Sequence, residues 1–323
     1  MLRRGLSARR SPRCDRGGRP RSGGDHMGAE DAKQRAARAE DALDPGLWVV
    51  ATPIGNARDV TLRALDVLAR ADAIAAEDTR RARQLLDLHG VELAGRPLIR
   101  YDDHAGAAAR PGLLARLAAG ESVALVSDAG TPTVADPGYR LVREAAEAGC
   151  AVRALPGPSA ALAALTVSGL PTDRFLFAGF PPQKPGERAR FLSALAAVPA
   201  TLLFFESPKR LASSLAAMAE AFGDREAAVC RELTKLFEET RRGRLPALAR
   251  AAAEAPAPKG EIVVAVGPPG AAEADAETVD AALREALARA SVRDAAREVA
   301  EALGAPRKDV YRRALALSAE DGG

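Results

Sequence analysis

The chain has 323 residues, of which 47% are hydrophobic and 4% aromatic, enough for two domains of ordinary size. No apolar run reaches the roughly 18 residues that a membrane helix needs, so we expect no membrane association and a cytoplasmic location. The cysteines and histidines are scattered, which argues against a disulfide framework and against a metal site; they are Cys14, Cys150, Cys230, His26, His89 and His104.

The net charge of +3 conceals an uneven distribution. Residues 1–26 carry eight arginines against Asp15 and Asp25, a net of +6, which leaves −3 for the rest of the chain. This leader is too polar for a secretory signal and lacks the apolar face of a transit peptide. We expect residues 1–44 to be a disordered basic leader followed by a charged helical lead-in. Translation from Met27 and a basic RNA-touching arm are the alternatives.

From Leu47 to Leu155 the pattern alternates between strands and helices. Apolar runs predict strands at 47–51, 73–76, 97–101, 122–126 and 151–155, with helices between them. The fourth helix is expected to start at Asp136-Pro137, because aspartate before proline is a common helix start. Strands and helices that alternate with short connections indicate a mostly parallel sheet covered on both faces.

The second half predicts a mixed sheet followed by a helical extension. Strands are expected at 174–180, 201–206, 226–233 and 261–267, and helices near 158–168, 186–196, 207–221 and 245–254. The fold class is therefore α/β, with two α/β domains at 45–155 and 156–268. A linker then leads to a helical tail at 276–317.

Polar loops follow every strand of the first sheet. They read TPIGN, AEDTR, YDDH, SDAGTP and PGPSA. Because ligands of open parallel sheets bind outside the carboxyl ends of the strands, we expect these loops to form one site. Five ordinary turns are the alternative.

The glycine spacing at this predicted rim does not suit a phosphate. Neither GxGxxG nor GxxxxGK[ST] is present, and no lysine stands in a phosphate cradle. A nucleoside without phosphate, such as S-adenosylmethionine, fits small residues with free backbone groups better. Such residues are Ala129, Gly130, Thr131, Ser159 and Ala160.

Seven ordered segments resemble the ribosomal RNA small subunit methyltransferase I family of the tetrapyrrole methylase superfamily. They are VATPIGNARDVTLRAL, AEDTRRARQLL, SDAGTPTVADPGYRLV, LPGPSAALAALTVSGLPTDRFLFAGFPP, FESPKRL, CRELTKLFEET and KGEIVVAVG. The resemblance covers roughly residues 47–317. It implies S-adenosylmethionine bound between two α/β domains and a homodimer. It also implies methyl transfer to the ribose 2′-hydroxyl of a cytidine in the decoding region of 16S ribosomal RNA, within the small ribosomal subunit.

The resemblance also implies a set of cofactor-binding residues. The segment from Ala129 to Pro132 stands where superfamily relatives carry a glycine-rich GDP loop, with Thr131 in place of the aspartate. TPIGN replaces the first-loop glycine pattern of the tetrapyrrole enzymes, which favours the RNA branch. The full set is Pro53, Asp128, Ala129, Gly130, Thr131, Ala135, Ser159, Ala160, Phe180, Gly260 and Glu261.

The sequence offers several candidates for the catalytic groups without singling out a base. They are Glu77, Asp78, His104, Lys235 and Glu238. Lys235 and Glu238 would share one face if LTKLFEE were helical, and a surface ion pair is the alternative. Asp78 could instead only cap the following helix. Lys235 is one of six lysines beside 40 arginines, so an ammonium there suggests a specific need.

The tail predicts a helix that Ser291 and Asp294 cap, then a glycine turn and a basic helix, an arrangement like a helix-turn-helix. A plain helical hairpin is the alternative. The candidate RNA-binding residues are Arg80, Lys209, Arg307, Lys308 and Arg312. Two other functions stay open: a tetrapyrrole-like small-molecule methylase on the same fold, and a nucleic-acid binder without activity.

Overall fold

The computed structural model describes residues 43–103, 105–270, 276–303 and 305–320. Pro45–Gly323 form one compact unit, and Met1–Asp44 form a second unit that is described only at its last two residues. The predicted leader and lead-in, Cys14 and His104 lie outside the described residues. Within the described part, no helix is long and apolar enough to cross a membrane.

The first sheet has five parallel strands in the order β3-β2-β4-β1-β5, which confirms the prediction. Its buried core lies beneath helices α3 and α4. The strands are β1 Gly46–Val50, β2 Ala73–Ala76, β3 Leu98–Arg100, β4 Ser122–Val126 and β5 Val152–Leu155. The helices are α1 Leu62–Arg70, α2 Thr79–Leu88, α3 Gly106–Ala118 and α4 Tyr139–Glu147, with a short 3-10 helix at Ala57–Asp59.

The second sheet has the order β6-β7-β10-β8-β9 and is mixed, as expected. β6 runs parallel to β7, and the other pairs are antiparallel. The strands are β6 Phe175–Gly179, β7 Thr201–Glu206, β8 Glu226–Arg231, β9 Glu239–Arg244 and β10 Ile262–Val266. The helices are α5 Ala160–Ser168, α6 Pro185–Leu195, α7 Leu211–Phe222 and α8 Leu245–Glu254, with a 3-10 turn at Pro208–Arg210. The division into domains at 155 and 156 stays a prediction.

Strand β9 is not predicted by the sequence pattern. This strand reads ETRRGR, pairs with β8 alone and lies at the edge of the sheet with its last four residues exposed. An exposed edge strand buries no face, so it has no apolar alternation to detect, and its charges discourage pairing with other chains. The strand lacks a recognisable apolar pattern because it lies at the exposed edge of the sheet.

The predicted start of helix α4 was wrong. The helix begins at Tyr139 and its N-cap is Gly138, without any capping side chain. Asp136 and Pro137 lie instead in the preceding turn, where Thr133 and Ala135 have positive φ angles of 75° and 61°. Residues in this conformation cannot belong to a right-handed helix, so the helix starts only after the turn.

The tail contains three helices, α9 Ala276–Leu287, α10 Val292–Leu303 and α11 Arg307–Glu320. They share a small apolar core that includes Leu283, Val299 and Val310. Ser291 Oγ accepts a hydrogen bond from the Asp294 amide at 3.2 Å, so the predicted cap of α10 is present. Arg313 on α11 forms an ion pair with Asp280 on α9, which ties the last helix to the first.

Candidate active site

Three loops at the carboxyl edge of the first sheet are tied to one another. Thr52 and Gly130 exchange two backbone hydrogen bonds of 2.8 and 2.9 Å. The Thr52 hydroxyl donates to the Ser127 carbonyl at 3.2 Å, and the Thr131 hydroxyl donates to the Pro158 carbonyl at 3.1 Å. Three of the five loops of the predicted rim, those after β1, β4 and β5, therefore form one wall.

A cavity of about 410 Å³ lies between this wall and the second sheet, a size typical of small-molecule sites. We call it the central cavity. Its apolar lining includes Ile54, Leu233 and Val263, and Phe180 packs edge-on against Phe205 with ring centroids 5.5 Å apart. Ten of the eleven predicted cofactor residues line it: Asp128, Ala129, Gly130, Thr131, Ala135, Ser159, Ala160, Phe180, Gly260 and Glu261.

Pro53, the eleventh, lines a neighbouring cavity of about 360 Å³, which we call the side cavity. Lys235 lines the side cavity as well. The two cavities share part of their walls: Ile54, Arg81, Asp128, Ala129 and Glu261. The predicted residues therefore surround two adjoining spaces.

The central cavity is lined by more carboxyl groups than cationic groups. Its lining contains five carboxyl side chains and one guanidinium, that of Arg81. The carboxyl groups belong to Glu77, Asp128, Asp136, Glu206 and Glu261. Such a lining repels phosphate and favours a cationic ligand. Among the described residues, no group of three or more metal-ligating side chains could hold a metal ion.

The loops after β2 and β4 hold each other through carboxylates. The Asp78 amide donates to the Asp128 carboxylate at 3.0 Å, and the Asp128 amide donates to Glu77 at 3.2 Å. Arg81 forms an ion pair with Asp128 at 3.4 Å. Burial raises the pKa of Glu77, although the hydrogen bond from the Asp128 amide opposes this effect. Glu77 is therefore a carboxyl group of the central cavity with raised basicity.

Asp78 lines neither cavity, although it was a catalytic candidate. Its carboxylate caps helix α2 by accepting from the Arg80 amide at 2.8 Å, and it forms an ion pair with the Arg80 guanidinium at 2.8 Å. These bonds hold the pKa of Asp78 well below its usual range. Asp78 is therefore the N-cap of helix α2, which is the alternative role that the sequence allowed.

Lys235 and Glu238 lie in a turn-rich loop, residues 232–238, and not on a helix. The Lys235 ammonium binds Glu232 at 2.7 Å and Glu261 at 3.2 Å, and the shared face with Glu238 that a helix would have given is absent. Burial lowers the pKa of Lys235, but these hydrogen bonds outweigh it and the net shift is upward. The ammonium therefore remains charged. Glu238 accepts from the Thr234 amide at 2.7 Å.

The predicted RNA-binding residues lie on three separate parts of the surface. Arg80 is exposed at the start of α2 beside the rim. Lys209 lines a groove of the second sheet together with Arg231 and Arg241. Arg307, Lys308 and Arg312 are exposed on α11.

Comparisons with known proteins cover both halves of the chain and its tail. Residues 46–249 match the family model of the tetrapyrrole (corrin/porphyrin) methylases, and residues 272–318 match the RsmI C-terminal HTH domain. A protein of Mesorhizobium japonicum named ribosomal RNA small subunit methyltransferase I is 55% identical over 281 residues, which is 87% of this chain and 95% of the relative. One from Erythrobacter litoralis with the same name is 52% identical over 277 residues, 86% and 97% of the two chains.

The chain belongs to the ribosomal RNA small subunit methyltransferase I family. Solved structures support its fold. Diphthine synthase matches with a TM-score of 0.54 and 18% identity, over 68% of this chain and 89% of that one. The methyltransferase CobJ matches with a TM-score of 0.52 and 23% identity, over 69% and 94%.

In this member of the ribosomal RNA small subunit methyltransferase I family, the central cavity has important lining residues that the sequence analysis did not select. They are Arg81, Asp136, Phe205 and Glu206. Asp136 could have been found, because it lies in the same polar loop after β4 as Asp128. It was assigned to a helix start instead. Glu206 ends a buried strand, where a lone carboxylate carries no periodic signal.

Proposed function

We propose that this chain transfers the methyl group of S-adenosylmethionine to the ribose 2′-hydroxyl of a cytidine in the decoding region of 16S ribosomal RNA. The observation that carries the proposal is the central cavity with its five carboxyl groups and one guanidinium. S-adenosylmethionine has a sulfonium and an ammonium against a single carboxylate, so its net charge is positive, and it has no phosphate, so it suits this lining. The names of the relatives indicate the class of molecule that accepts the methyl group, the RNA of the small ribosomal subunit.

The residues around the central cavity fit this cofactor in shape as well. Gly130 has a φ of 81°, and a Cβ there would lie 3.4 Å from the Ile54 side chain. The positive φ at Gly130 favours glycine, so the wall of the cavity at this point is bare backbone. Ala129, Ser159 and Ala160 are small residues in the lining, which leaves room for a ribose and an adenine.

When bound, the cofactor supplies a methyl group that is activated by the sulfonium. The chain contributes position: the rim loops and the second sheet enclose the reacting atoms from two sides, and alignment can supply roughly 7–11 kcal/mol of the barrier reduction. The apolar lining excludes water and strengthens each electrostatic contact. A positioned base adds about 10²–10⁴-fold.

The proposal extends to the setting of the reaction. We place the target within the small ribosomal subunit, where single-stranded nucleotides can be splayed into a pocket. The enzyme would act as a homodimer in the cytoplasm. The exposed cations of α11 and the helix-turn-helix name of the matching domain support RNA contact by the tail.

The direct test uses labelled S-adenosylmethionine and small subunits from cells that lack the corresponding methyltransferase. We expect label on one ribose of 16S ribosomal RNA. Gly130→Val should abolish it and weaken cofactor binding at least about 100-fold, because a β-branched residue does not tolerate positive φ next to Ile54. Both are measured by mapping the label and by calorimetry.

Gly149→Val is the matched control for this substitution. Gly149 also has a positive φ, of 75°, but a Cβ there meets nothing within 4 Å. It should therefore lose stability without losing cofactor binding. Cofactor binding by the wild type without label on subunits or on naked RNA would favour a small-molecule methylase instead.

Charge removal on α11 tests the role of the tail. Arg307→Ala with Lys308→Ala should reduce the slope of log binding constant against log salt by about 1.4–1.8, because each phosphate contact contributes about 0.7–0.9. Cofactor binding should not change. Filter binding of 16S ribosomal RNA across a salt series measures the slope.

A charge-matched control separates specific contacts from net charge. Arg63 and Arg250 are exposed and lie outside the tail. If Arg63→Ala with Arg250→Ala lowers the slope by the same amount, α11 has no special role in RNA binding.

A further inference from the structure

Asp136 lies in the turn between β4 and α4 and lines the central cavity. The carboxylate of an aspartate just before a helix usually caps that helix by accepting a backbone N–H. Here α4 starts only at Tyr139, Gly138 is its N-cap, and no side chain caps it. The helix therefore leaves the Asp136 carboxylate available.

The backbone around Asp136 is held in a costly conformation. Thr133 and Ala135 have left-handed φ angles of 75° and 61°. Gly138 has a φ of 127°, and a Cβ there would lie 2.8 Å from Leu125 and 3.2 Å from Thr133. The turn is thus packed tightly against strand β4. Strain of this kind persists where the surrounding structure enforces it, often at functional sites.

The other carboxylates of the central cavity are engaged by donors that keep them fixed. Arg81 binds Asp128, Lys235 binds Glu261, and Arg210 binds Glu206. Glu77 accepts the Asp128 amide. Asp136 receives the Ser127 hydroxyl, and among the described residues no arginine or lysine nitrogen lies within 4 Å of it. It is the cavity carboxylate with the weakest set of donors.

The surroundings of Asp136 favour its protonated form. Burial raises its pKa to about 6, and the negative charge of Glu77 adds to the effect. Asp128 and Asp103 contribute in the same direction, whereas the hydrogen bond from Ser127 opposes it. Arg81, the cation on the facing helix α2, is paired with Asp128. A base whose pKa lies near the working pH is the most effective.

We propose that Asp136 is the catalytic base that accepts the proton of the ribose 2′-hydroxyl, an assignment that rests on the proposed function. The 2′-oxygen forms a bond to the methyl carbon while the carbon–sulfur bond breaks and its electron pair stays on sulfur. The hydroxyl proton moves to the Asp136 carboxylate. A sulfonium and a carboxylate thus become a neutral thioether and a carboxylic acid, so charge and atoms balance.

The first test is single-turnover methylation of small subunits by Asp136→Asn, with Asp87→Asn as a matched control. Asp87 is exposed on α2 and lines neither cavity. We expect Asp136→Asn to lower the rate about 10²–10⁴-fold. Its dissociation constant for S-adenosylmethionine, measured by calorimetry, should stay within about threefold of the wild type. The control should behave as the wild type in both measurements.

The second test follows the proton directly in the wild-type protein. The wild-type rate should rise with unit slope at low pH and level off above a midpoint near 6. In protein labelled with ¹³C at aspartate carboxyls, one resonance should titrate with the same midpoint, and Asp136→Asn should remove it. If no aspartate titrates between about pH 5 and 7, the assignment is wrong.

Three other results would overturn the assignment, and they differ from one another. A weaker affinity for the cofactor with an unchanged saturated rate would make Asp136 a cofactor contact. Loss of the rate and of its acid limb in Glu77→Gln, with both retained in Asp136→Asn, would make Glu77 the base. If the wild-type protein does not methylate small subunits, the proposed function is wrong as well. Wild-type activity therefore tests the proposed function, and the variants test the assignment of Asp136.

Discussion

Replacing Gly55 by alanine is expected to lower kcat/KM for methyl transfer about 100-fold, since a displacement of about 1 Å near a reacting centre can cost that much. A Cβ at Gly55 would lie 2.4 Å from Lys235 Cγ, 2.9 Å from its Cε and 3.0 Å from the Thr234 hydroxyl. Loop 232–238 rests on the first rim loop at this point, where the Asn56 amide donates to Thr234 at 3.1 Å. Loop 232–238 would have to move away from the loop that contains Gly55.

Withdrawal would disturb the site because the loop is tied to the cavity wall. Lys235 binds Glu261, which lines both cavities. Glu232 and Thr234 have positive φ angles of 51° and 66°, so the loop has little freedom to adjust. Steady-state kinetics on small subunits measure the effect.

Gly112→Ala is the control for this prediction. A Cβ at Gly112 meets nothing within 4 Å, and the residue lies inside helix α3, so alanine should stabilise the protein by up to about 1 kcal/mol without changing activity. In addition, Gly55→Ala should cost little in a Lys235→Ala background, because the main clash is then gone. Equal losses from Gly55→Ala in both backgrounds would contradict the mechanism.

The largest effect on stability is expected from Glu206→Ala, about 3–5 kcal/mol of unfolding free energy. The Glu206 side chain is completely buried at the end of β7. It binds Arg210 at 2.6 Å and the Ser207 amide at 2.7 Å, and it accepts the hydroxyl of the buried Ser214. Removing it leaves the Ser214 hydroxyl without its acceptor, and within the described part of the chain it leaves the Arg210 guanidinium with only the Pro181 carbonyl and the Ser207 hydroxyl as partners.

Urea or thermal unfolding measures this loss. Glu206→Gln should cost less, because the amide oxygen still accepts from the Ser207 amide while the amide NH2 can donate to the Ser214 hydroxyl, although the negative charge is gone. Glu187→Ala serves as the control: it removes an exposed ion pair with Lys184 and should change stability by about 0.5 kcal/mol or less. A loss below about 1 kcal/mol for Glu206→Ala would show that Arg210 finds other partners.

The sequence by itself determined the fold class, and it predicted that the polar loops of the first sheet lie together at one edge. Apolar strands in the first half are buried on both faces, so their runs are continuous and easy to locate. The polar loops that follow them must gather at one edge, because parallel strands end on the same side. For that reason seven of the ten cofactor candidates at the central cavity come from the loops after β4 and β5.

Only the tertiary structure decided which carboxylates are available for chemistry. Asp78, Asp128, Glu206 and Glu261 look alike in the sequence, but each is bound by a cation from another place in the fold or in the same loop. Asp136 has no such partner among the described residues, because a strained turn separates it from the helix that it was expected to cap. A residue's type sets its possible chemistry, but its donors, burial and neighbouring charges set its pKa, and these come from contacts distant in sequence.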